Sequence, residues 1–333
     1  VYDYPGGYKV AADGDPYVRS RIQELQAEHE LCRGSGSARG LTAGALFTLE
    51  LFPREDLNKE YLVVSAVHEI QSDEYETTDQ PLEGPFFRSR IAAIDSRVPY
   101  RPPRITPKPI VQGPQTAIVV GPSGEEIWTD QYGRIKVQFH WDRYGASDEN
   151  SSCWIRVSQY WAGGNWGSIH IPRIGQEVIV EHLEGDPDRP IVAGRVYNAD
   201  NMPPYALPDN QTQSGVKSRS TKQGTAENFN ELRFEDKIGE EHIYFHAEKD
   251  FERVVENNDT LRVGFDDQDP GDQTIEIYND RTDTVGNNET VEIGYGIMSP
   301  GDQTVSVYND RTVTIGNNDS LTVEKGDHTI DVS

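Results

Sequence analysis

The sequence predicts a mainly β protein built from a small α/β part, a compact β module and a C-terminal three-sided β-helix that three copies of the chain wind together. Three observations indicate this fold class. Short runs of alternating apolar and polar residues fill the middle of the chain. The last quarter repeats itself every 30 residues, and within that repeat pairs of Val or Ile return every eight residues.

Length, charge and cysteine content exclude several classes of protein. The 333 residues are too many for one compact core, so we expect two or three domains. With 31 basic and 56 acidic residues, the net charge of −25 has the wrong sign for neutralising phosphates, so we expect no nucleic-acid partner. No apolar run approaches the roughly 18 residues of a membrane span. Two cysteines, Cys32 and Cys153, cannot form a disulfide framework or a four-cysteine zinc site.

The first predicted element is a helix near the N-terminus. Asp15 is expected to cap it, Pro16 suits its first turn, and Gly34 is expected to end it. The residues at helical spacing are Ile22, Leu25, His29 and Cys32. We expect His29 and Cys32 to lie in the core rather than to bind a ligand.

Two strands and a connector follow the helix. The runs Leu46–Leu51 and Tyr61–His68 predict strands, which complete an α/β part over residues 1–97. Residues 98–112 form the connector, and its stretch Val98–Pro109 carries five prolines and no apolar period. This composition indicates a stiff segment.

Residues 113–197 have the pattern of a compact β module. Five alternating runs, separated by turn clusters, predict a small barrel or sandwich such as an OB-fold. The runs are Ala117–Val120, Arg134–Trp141, Trp154–Ser158, Glu177–His182 and Ile191–Arg195. In the longest run, one face holds Ile135, Val137, Phe139 and Trp141, and the other holds Arg134, Lys136, Gln138 and His140.

The tryptophans of this module allow two interpretations. Trp154, Trp161 and Trp166, together with the Arg/Lys face, could bind an oligonucleotide or an oligosaccharide, as OB barrels often do. The interpretation we favour is that these aromatics fill the barrel and its contacts in the trimer, because a fold alone does not carry a function.

A polar linker over residues 198–227 leads into the repeats. The segment Pro270–Glu289 recurs as Pro300–Asp319, at an offset of 30 residues. Between Asp250 and Ser333 there are 19 acidic and 5 basic residues, a net charge of −14 that is typical of disorder. The repeat argues against disorder, because repeats of this length indicate a stacked architecture.

Each 30-residue repeat contains three octads and a six-residue spacer. The octads begin at Thr274, Thr282 and Thr290, and the next begins at Thr304. Their second and fourth positions are mostly Val or Ile, which predicts a short strand, and their last four positions favour corners. The residues predicted to point inward are Ile275, Ile277, Val291, Ile293, Val305, Val307, Val313, Ile315, Leu321 and Val323.

Two inward apolar residues per octad cannot form a core in one chain. If only one chain winds around the axis, the N–H and C=O groups of each strand also lack hydrogen-bond partners. We therefore predict that residues 228–333 form an intertwined, obligately trimeric β-helix. At about 4.8 Å per octad, the roughly 13 octads from Asn228 onward would extend about 60 Å. A calcium-loaded β-roll is the less favoured alternative, because it requires nonapeptides with paired glycines.

The sequence predicts no catalytic residue, no cofactor and no metal ligand. It lacks the P-loop, the nucleophile elbow, the zinc-protease motif and paired Cys-x-x-Cys motifs. Glu125 with Glu126 and Asp148 with Glu149 lie near turn signals, and such pairs are expected by chance in so acidic a chain.

Two histidines deserve a separate interpretation. His242 and His246 flank Tyr244 on one strand face, which three-fold symmetry could turn into a metal ring on the axis. Exposed or packed histidines on the wall of the helix are the favoured interpretation.

Six segments carry a family resemblance. They are Val1–Tyr8, Gly113–Ala117, Asp130–Arg143, Ser151–Val157, Pro172–Val178 and Gly185–Pro190. These segments resemble the valine-glycine repeat protein G (VgrG) spikes of type VI secretion systems, which are similar to the fused hub and spike of contractile phage tails. The chain begins at Val1 without a leader pattern, so we expect no signal peptide and a fragment of a longer protein.

The resemblance implies a set of partners. Residues 1–97 would be the C-terminal part of a hub that caps a tube of secreted ring protein. The far end of the β-helix would carry a PAAR-type tip protein and effector cargo. The homotrimer would assemble in the bacterial cytoplasm at the baseplate and then be secreted to the outside or into a target cell. Phage relatives hold a lysozyme domain between barrel and helix, and the stretch 198–228 is too short for one; we expect no effector domain before Ser333.

The implied function is mechanical. A rigid trimer in front of a contracting sheath would puncture the target cell envelope without catalysis in this chain. Its acidic exterior is expected to oppose adhesion to anionic lipid headgroups. Two alternatives stay open, an enzymatic spike that degrades peptidoglycan and a glycan-binding, phage-tail-like fibre.

Overall fold

The structure is a computed structural model that describes residues 4–71, 86–264, 271–294 and 301–332. It divides into two compact units, Val1–Phe251 and Glu252–Ser333. The mainly β fold class is confirmed, with one α-helix and twelve strands in the described residues. The helix is α1 (Ala11–Ala27), and the strands are β1 (Cys32–Gly36), β2 (Leu46–Thr48), β3 (Glu60–Gln71), β4 (Phe86–Asp95), β5 (Gln115–Val120), β6 (Lys136–Phe139), β7 (Arg156–Val157), β8 (Glu177–His182), β9 (Pro190–Val196), β10 (Gln213–Lys217), β11 (Glu231–Glu235) and β12 (His242–His246). Two short 3-10 helices cover Glu55–Leu57 and Leu183–Gly185.

Helix α1 differs from its prediction at both ends. It begins at Ala11, so Asp15 and Pro16 lie inside it, and no side chain caps it. The earlier start places Gly14 in the helix, where the Tyr8 ring covers it so closely that an added Cβ would lie 2.9 Å from the ring. A larger residue at this position would therefore displace the Tyr8 ring.

The prediction that the helix continues through His29 and Cys32 is wrong. The helix ends at Ala27, and the His29 backbone N–H donates to the Gln26 carbonyl. His29 is exposed and not in the core, whereas Cys32 is partly buried and opens β1 opposite Ala93. Leu25 is itself exposed, since no second layer covers this side of the helix in the described residues.

The first sheet has four antiparallel strands in the order β1-β4-β3-β2. Its buried residues are Tyr61, Val63, Ser89, Ala93 and Ile94. The Tyr61 hydroxyl donates to the Leu57 carbonyl at 2.9 Å, so a polar group that enters the core keeps a partner.

Residues 98–112 run without a helix or strand and contact both neighbouring parts. Arg101 donates to the Gln23 side chain of α1 at 3.0 Å, and the Arg104 backbone N–H donates to Glu24 at 2.8 Å. Further along, Lys108 forms an ion pair with Asp186 at 2.7 Å. The connector is therefore fastened at both of its ends.

The second sheet contains the main core of the protein. Its five strands follow the order β6-β5-β8-β9-β7, and all neighbours are antiparallel except β7 and β9. The core residues are Ala117, Val119, Ile135, Val137, Phe139, Ile155, Val178, Val180 and Val192. Strand β8 has the predicted bounds, and Ile135, Val137 and Phe139 are buried as their shared face requires.

Trp141 does not belong to that buried face, although its alternation predicts that it should. The strand stops at Phe139, and the Asp142 backbone N–H donates to the Phe139 carbonyl in a turn. Trp141 is 65% exposed as a result. Alternation predicts a face only as far as the strand continues.

The third sheet is antiparallel, in the order β10-β11-β12. This differs from the octads predicted from Asn228 onward, because the turn between β11 and β12 reverses the chain with Gly239 at φ +81°. Strand β10 falls inside the stretch predicted as a linker, 198–227.

The second unit is an extended chain with regular bends. Bends lie at residues 278–279, 286–287, 308–309 and 316–317, which are the fifth and sixth positions of their octads, as predicted for corners. The two repeats have matching geometry, since Ile277 and Val307 are 49% and 50% exposed. No strand pairing joins the described residues of this unit, and Pro270 and Met298–Pro300 of the predicted repeat lie outside the described residues. No helix in the described part of the chain is long and apolar enough to cross a membrane.

We predict that Ile135→Ala lowers the free energy of unfolding of the barrel by about 3 kcal/mol, because Ile135 is fully buried in a close-packed core. Urea unfolding, followed by tryptophan fluorescence, measures the change. The matched control is Ile105→Ala in the connector, where the side chain is 81% exposed. Equal effects of the two substitutions would contradict the assignment of the core.

Candidate trimer interface

The octads expose an apolar ladder along one side of an extended chain. All ten residues predicted to point inward lie in the described residues, and none is buried in the single chain. Second-position side chains are 59–69% exposed and fourth-position side chains are 45–50% exposed. Burying one Val or Ile side chain is worth about 1.5–3 kcal/mol, so this ladder strongly favours association with another apolar surface.

The third sheet adds an apolar face that the sequence analysis missed. Strand register places Val216 beside Leu232 and Phe245, and it places Phe234 beside Ile243. All except Leu232 are exposed. In the sequence, the alternation of Leu232 with Phe234 and of Ile243 with Phe245 is the pattern that could have predicted this face.

The opposite, polar face of that sheet is covered by its own chain. The Glu231 residue is 5% exposed, and its carboxylate lies 3.6 Å from the Arg233 guanidinium. The Tyr205 hydroxyl packs so close to Gly215 that an added Cβ would lie 2.6 Å away. Burial, and secondarily the neighbouring Glu231 carboxylate, raises the pKa of Tyr205 to about 12.

A sheet whose polar face is buried and whose apolar face is exposed has the reverse of the usual pattern. The Arg233 guanidinium also lies over the Tyr244 ring, 4.8 Å from its centroid, so the polar face is held in place by several contacts. The apolar face is therefore the side on which a second copy can pack.

The two histidines of β12 contact their own chain. The Nδ1 atom of His246 lies 2.9 Å from the Phe229 carbonyl, and its ring lies 4.5 Å from the Phe229 ring centroid. The Nδ1 atom of His242 lies 3.3 Å from the Glu240 carbonyl. In the part of the chain that the structure describes, no group of three or more His, Cys, Asp or Glu could hold a metal ion.

The Glu125/Glu126 pair fastens the connection between β10 and β11 to the barrel. The Glu126 carboxylate accepts a hydrogen bond from the Gln223 backbone N–H at 2.7 Å and lies 3.4 Å from the Arg219 guanidinium. Glu125 forms an ion pair with Lys222 at 2.8 Å. We call this set of contacts the barrel clasp.

The barrel clasp depends on an ionised Glu126. The Gln223 backbone N–H, then the Thr221 hydroxyl and the nearby Arg219 and Arg173, hold the pKa of the Glu126 carboxyl below its ordinary value. Arg173 also donates to the Arg219 carbonyl at 2.7 Å.

The other acidic pair noted in the sequence, Asp148 with Glu149, lies in a loop. The Asp148 carboxylate accepts a hydrogen bond from the Asn150 backbone N–H at 2.8 Å within that loop.

The tryptophans of the barrel separate into two groups. Trp154 is partly buried, with the Lys136 ammonium 5.1 Å above its ring and Trp128 stacked at 6.3 Å. Trp161 and Trp166 are each 59% exposed. Trp161 and Trp166 therefore do not fill the barrel of a single chain, and their expected contacts in the trimer stay a prediction.

Comparison with known families assigns three segments of the chain. Residues 1–74 match the phage tail baseplate hub family, and residues 125–197 match the OB domain of type VI secretion system and phage-baseplate injectors. Residues 214–333 match the C-terminal trimerisation domain of bacteriophage T4 gp5. The last segment contains both the octads and the third sheet.

Curated relatives include type VI secretion system spike proteins. The chain is 60% identical over 266 residues to the type VI secretion system spike protein VgrG1b of Pseudomonas aeruginosa, with 80% of this chain and 36% of that protein covered. It is 42% identical over 262 residues to the actin cross-linking toxin VgrG1 of Vibrio cholerae, with 79% of this chain and 24% of that protein covered. The chain thus spans about a quarter to a third of the length of these relatives.

One solved structure is a weaker match. It is an E. coli protein described as a component of the type VI secretion system with structural similarity to the T4 tail proteins gp27 and gp5. The TM-score is 0.40 at 20% identity, covering 57% of this chain and 45% of that one. A likeness of this strength supports no argument about function.

We predict that acid opens the barrel clasp. A carboxyl whose folded-state pKa is lowered stabilises the fold above its ordinary pKa of 4.5, and this contribution is lost as the pH falls through the folded-state value. Hydrogen exchange of residues 218–224, measured from neutral pH downward and corrected for intrinsic rates, should show the loss of protection.

Glu126→Gln should open the clasp already at neutral pH and abolish its dependence on acid. Glu125→Gln is the matched control, because it removes only the ion pair with Lys222. A Glu126→Gln variant with the protection and pH profile of the parent protein would contradict the role of Glu126.

Proposed function

Because the chain belongs to the VgrG family of type VI secretion spike proteins, we propose that it forms a homotrimeric, membrane-puncturing spike whose octad ladders meet on a common three-fold axis. The observation that carries the proposal is the exposure of all ten octad side chains in the single chain. Three ladders that face one another supply the apolar surface that each one lacks. Strands contributed in turn by the three chains also supply the missing backbone partners.

The proposed organisation follows the chain from one end of the spike to the other. Residues 1–97 form the C-terminal part of the hub, residues 98–112 the connector and residues 113–197 the OB barrel. Residues 198–251, which contain the third sheet, lead from the barrel to the octads of residues 252–333, and these octads form the β-helix. Support comes from the three family matches, which fall in the same order along the chain.

The partners that we propose are those of a secreted spike. The hub end caps a tube of secreted ring protein, and the far end of the β-helix carries a PAAR-type tip protein and effector cargo. The trimer assembles in the cytoplasm at the baseplate and is then delivered through the target cell envelope. The names of the spike relatives support the placement in a type VI secretion system.

The mechanism that we propose is mechanical, with no catalysis in this chain. A closed β-helix leaves few strand edges from which it can be peeled apart. Intertwining makes the three chains unfold together, so an axial push is carried by the whole cross-section. The rate at which the trimer unfolds then sets the force that the spike withstands.

We predict that Val307→Asp dissociates the trimer. The substitution places a carboxylate at an inward position in all three chains, and each unpaired buried charge costs about 3 kcal/mol or more. Light scattering of the full chain should show a trimer for the parent and a monomer for the variant.

Ser306→Asp is the matched control for Val307→Asp. It adds the same charge one residue earlier, at an outward position of the same octad, so the trimer should persist. Resistance of the trimer band to denaturant on a gel gives a second measurement. A monomeric parent chain would overturn the proposed function.

We predict that neutralising acidic side chains of the octad surface increases binding to anionic vesicles. Between Asp250 and Ser333 the net charge is −14 per chain, and like charges repel the spike from anionic headgroups. Co-sedimentation of the Asp280→Asn, Asp310→Asn variant with phosphatidylserine vesicles at low salt measures the effect. Unchanged binding would contradict the role assigned to the acidic surface.

A further inference from the structure

A rigid aromatic hairpin projects from the barrel between β7 and β8. Trp161 and Trp166 lie on its two arms, because the Gly163 backbone N–H donates to the Trp166 carbonyl at 2.9 Å and the Ser168 N–H donates to the Trp161 carbonyl at 2.9 Å. At its base, the His170 N–H donates to the Gln159 side chain at 3.0 Å. We call residues 159–170 the aromatic hairpin.

The two indole rings support each other at the tip. They meet edge to face with centroids 5.3 Å apart. The Trp166 ring lies directly on Gly163, where an added Cβ would be 2.2 Å from it, so the position requires glycine. The rings are therefore held in one arrangement before any partner binds.

The aromatic hairpin exposes large apolar side chains to solvent in the single chain. Its exposed large apolar side chains are Tyr160, Trp161, Trp166 and Ile169, each at least 59% exposed. Preorganised Trp and Tyr side chains are the residues that dominate binding energy at protein interfaces.

The hairpin is also free of charge in a strongly acidic protein. Residues 157–172 contain no Asp, Glu, Lys or Arg, whereas the whole chain carries a net charge of −25. Copies of an acidic chain repel one another except where they meet through uncharged surface. The aromatic hairpin is such a surface.

The hairpin is also fixed to the part of the chain that trimerises. The barrel and the third sheet belong to one compact unit, and the barrel clasp joins them through Glu126 and Gln223. Association of three third sheets therefore brings three barrels together at a high effective concentration.

From these observations we infer that the aromatic hairpin of each copy docks on the barrel of a second copy of this chain. The inference rests on the proposed trimer and adds a contact between barrels to the contact between octads. Its consequence is that the three barrels are locked against rotation around the axis.

Oxidative footprinting of the full chain tests the inference. Trp161 and Trp166 should be oxidised about tenfold more slowly in the parent trimer than in the monomeric Val307→Asp variant, because docking removes both rings from solvent. Tyr144, which is 98% exposed in another loop of the barrel, should be oxidised equally in both.

A pair of substitutions separates docking from local structure. Trp166→Ala should speed hydrogen exchange of residues 159–170 about tenfold more in the trimer than in the monomeric Val307→Asp background, whereas Tyr144→Ala should leave it unchanged in both. Both variants should remain trimeric, because the octads are intact.

The outcomes distinguish this inference from the proposed function. A monomeric parent overturns both. A trimeric parent in which Trp161 and Trp166 are oxidised as fast as in the monomer overturns only the docking. Protection of these rings in the trimer only after addition of soluble peptidoglycan fragments also overturns the docking, and it assigns the hairpin to glycans.

Discussion

An extended chain whose octad Val and Ile side chains share one side cannot satisfy either of its two requirements alone. Its apolar side stays in water, and its backbone N–H and C=O groups have no strand to pair with. Both features coincide in residues 252–264, 271–294 and 301–332, where the apolar ladder is exposed and no strand pairing is present. In the proposed trimer, the arrival of two further copies meets both requirements in a single event, so folding and assembly of this segment would be one process.

The barrel, in contrast, buries its apolar side chains within a single chain. The five-stranded barrel closes its own core around Val119, Val137 and Val178, and it needs no partner for that core. The third sheet lies between these two cases, because its polar face is covered by Tyr205 and its own chain while its apolar face is exposed. The barrel clasp joins the self-sufficient part to the part that depends on partners.

Alternation and octad spacing predicted the features that depend on interactions between residues close in the chain. Strand β8 and the buried residues Ile135, Val137 and Phe139 follow directly from alternation, and the octad corners coincide with the bends. Alternation could not predict that Trp141 leaves its face, because a turn after Phe139 ends the strand. The apolar spacing typical of a helix likewise continues past Ala27 to Cys32. Spacing alone does not show that the chain leaves the helix there and pairs with β4 as strand β1. The barrel clasp was beyond prediction, because it depends on a contact between Glu126 and Gln223, which are distant in the chain.

The near identity of the two repeats gives the spike a modular length. Residues 271–289 and 301–319 bend at equivalent positions and present equivalent side chains at equivalent exposure. Insertion or deletion of 30 residues, or of a multiple of 30, therefore leaves every remaining Val and Ile on its original face, whereas a change of another size shifts the alternation or the spacer. Gene duplication can lengthen such a needle by whole segments, so its reach can evolve while its cross-section and its chemistry stay constant.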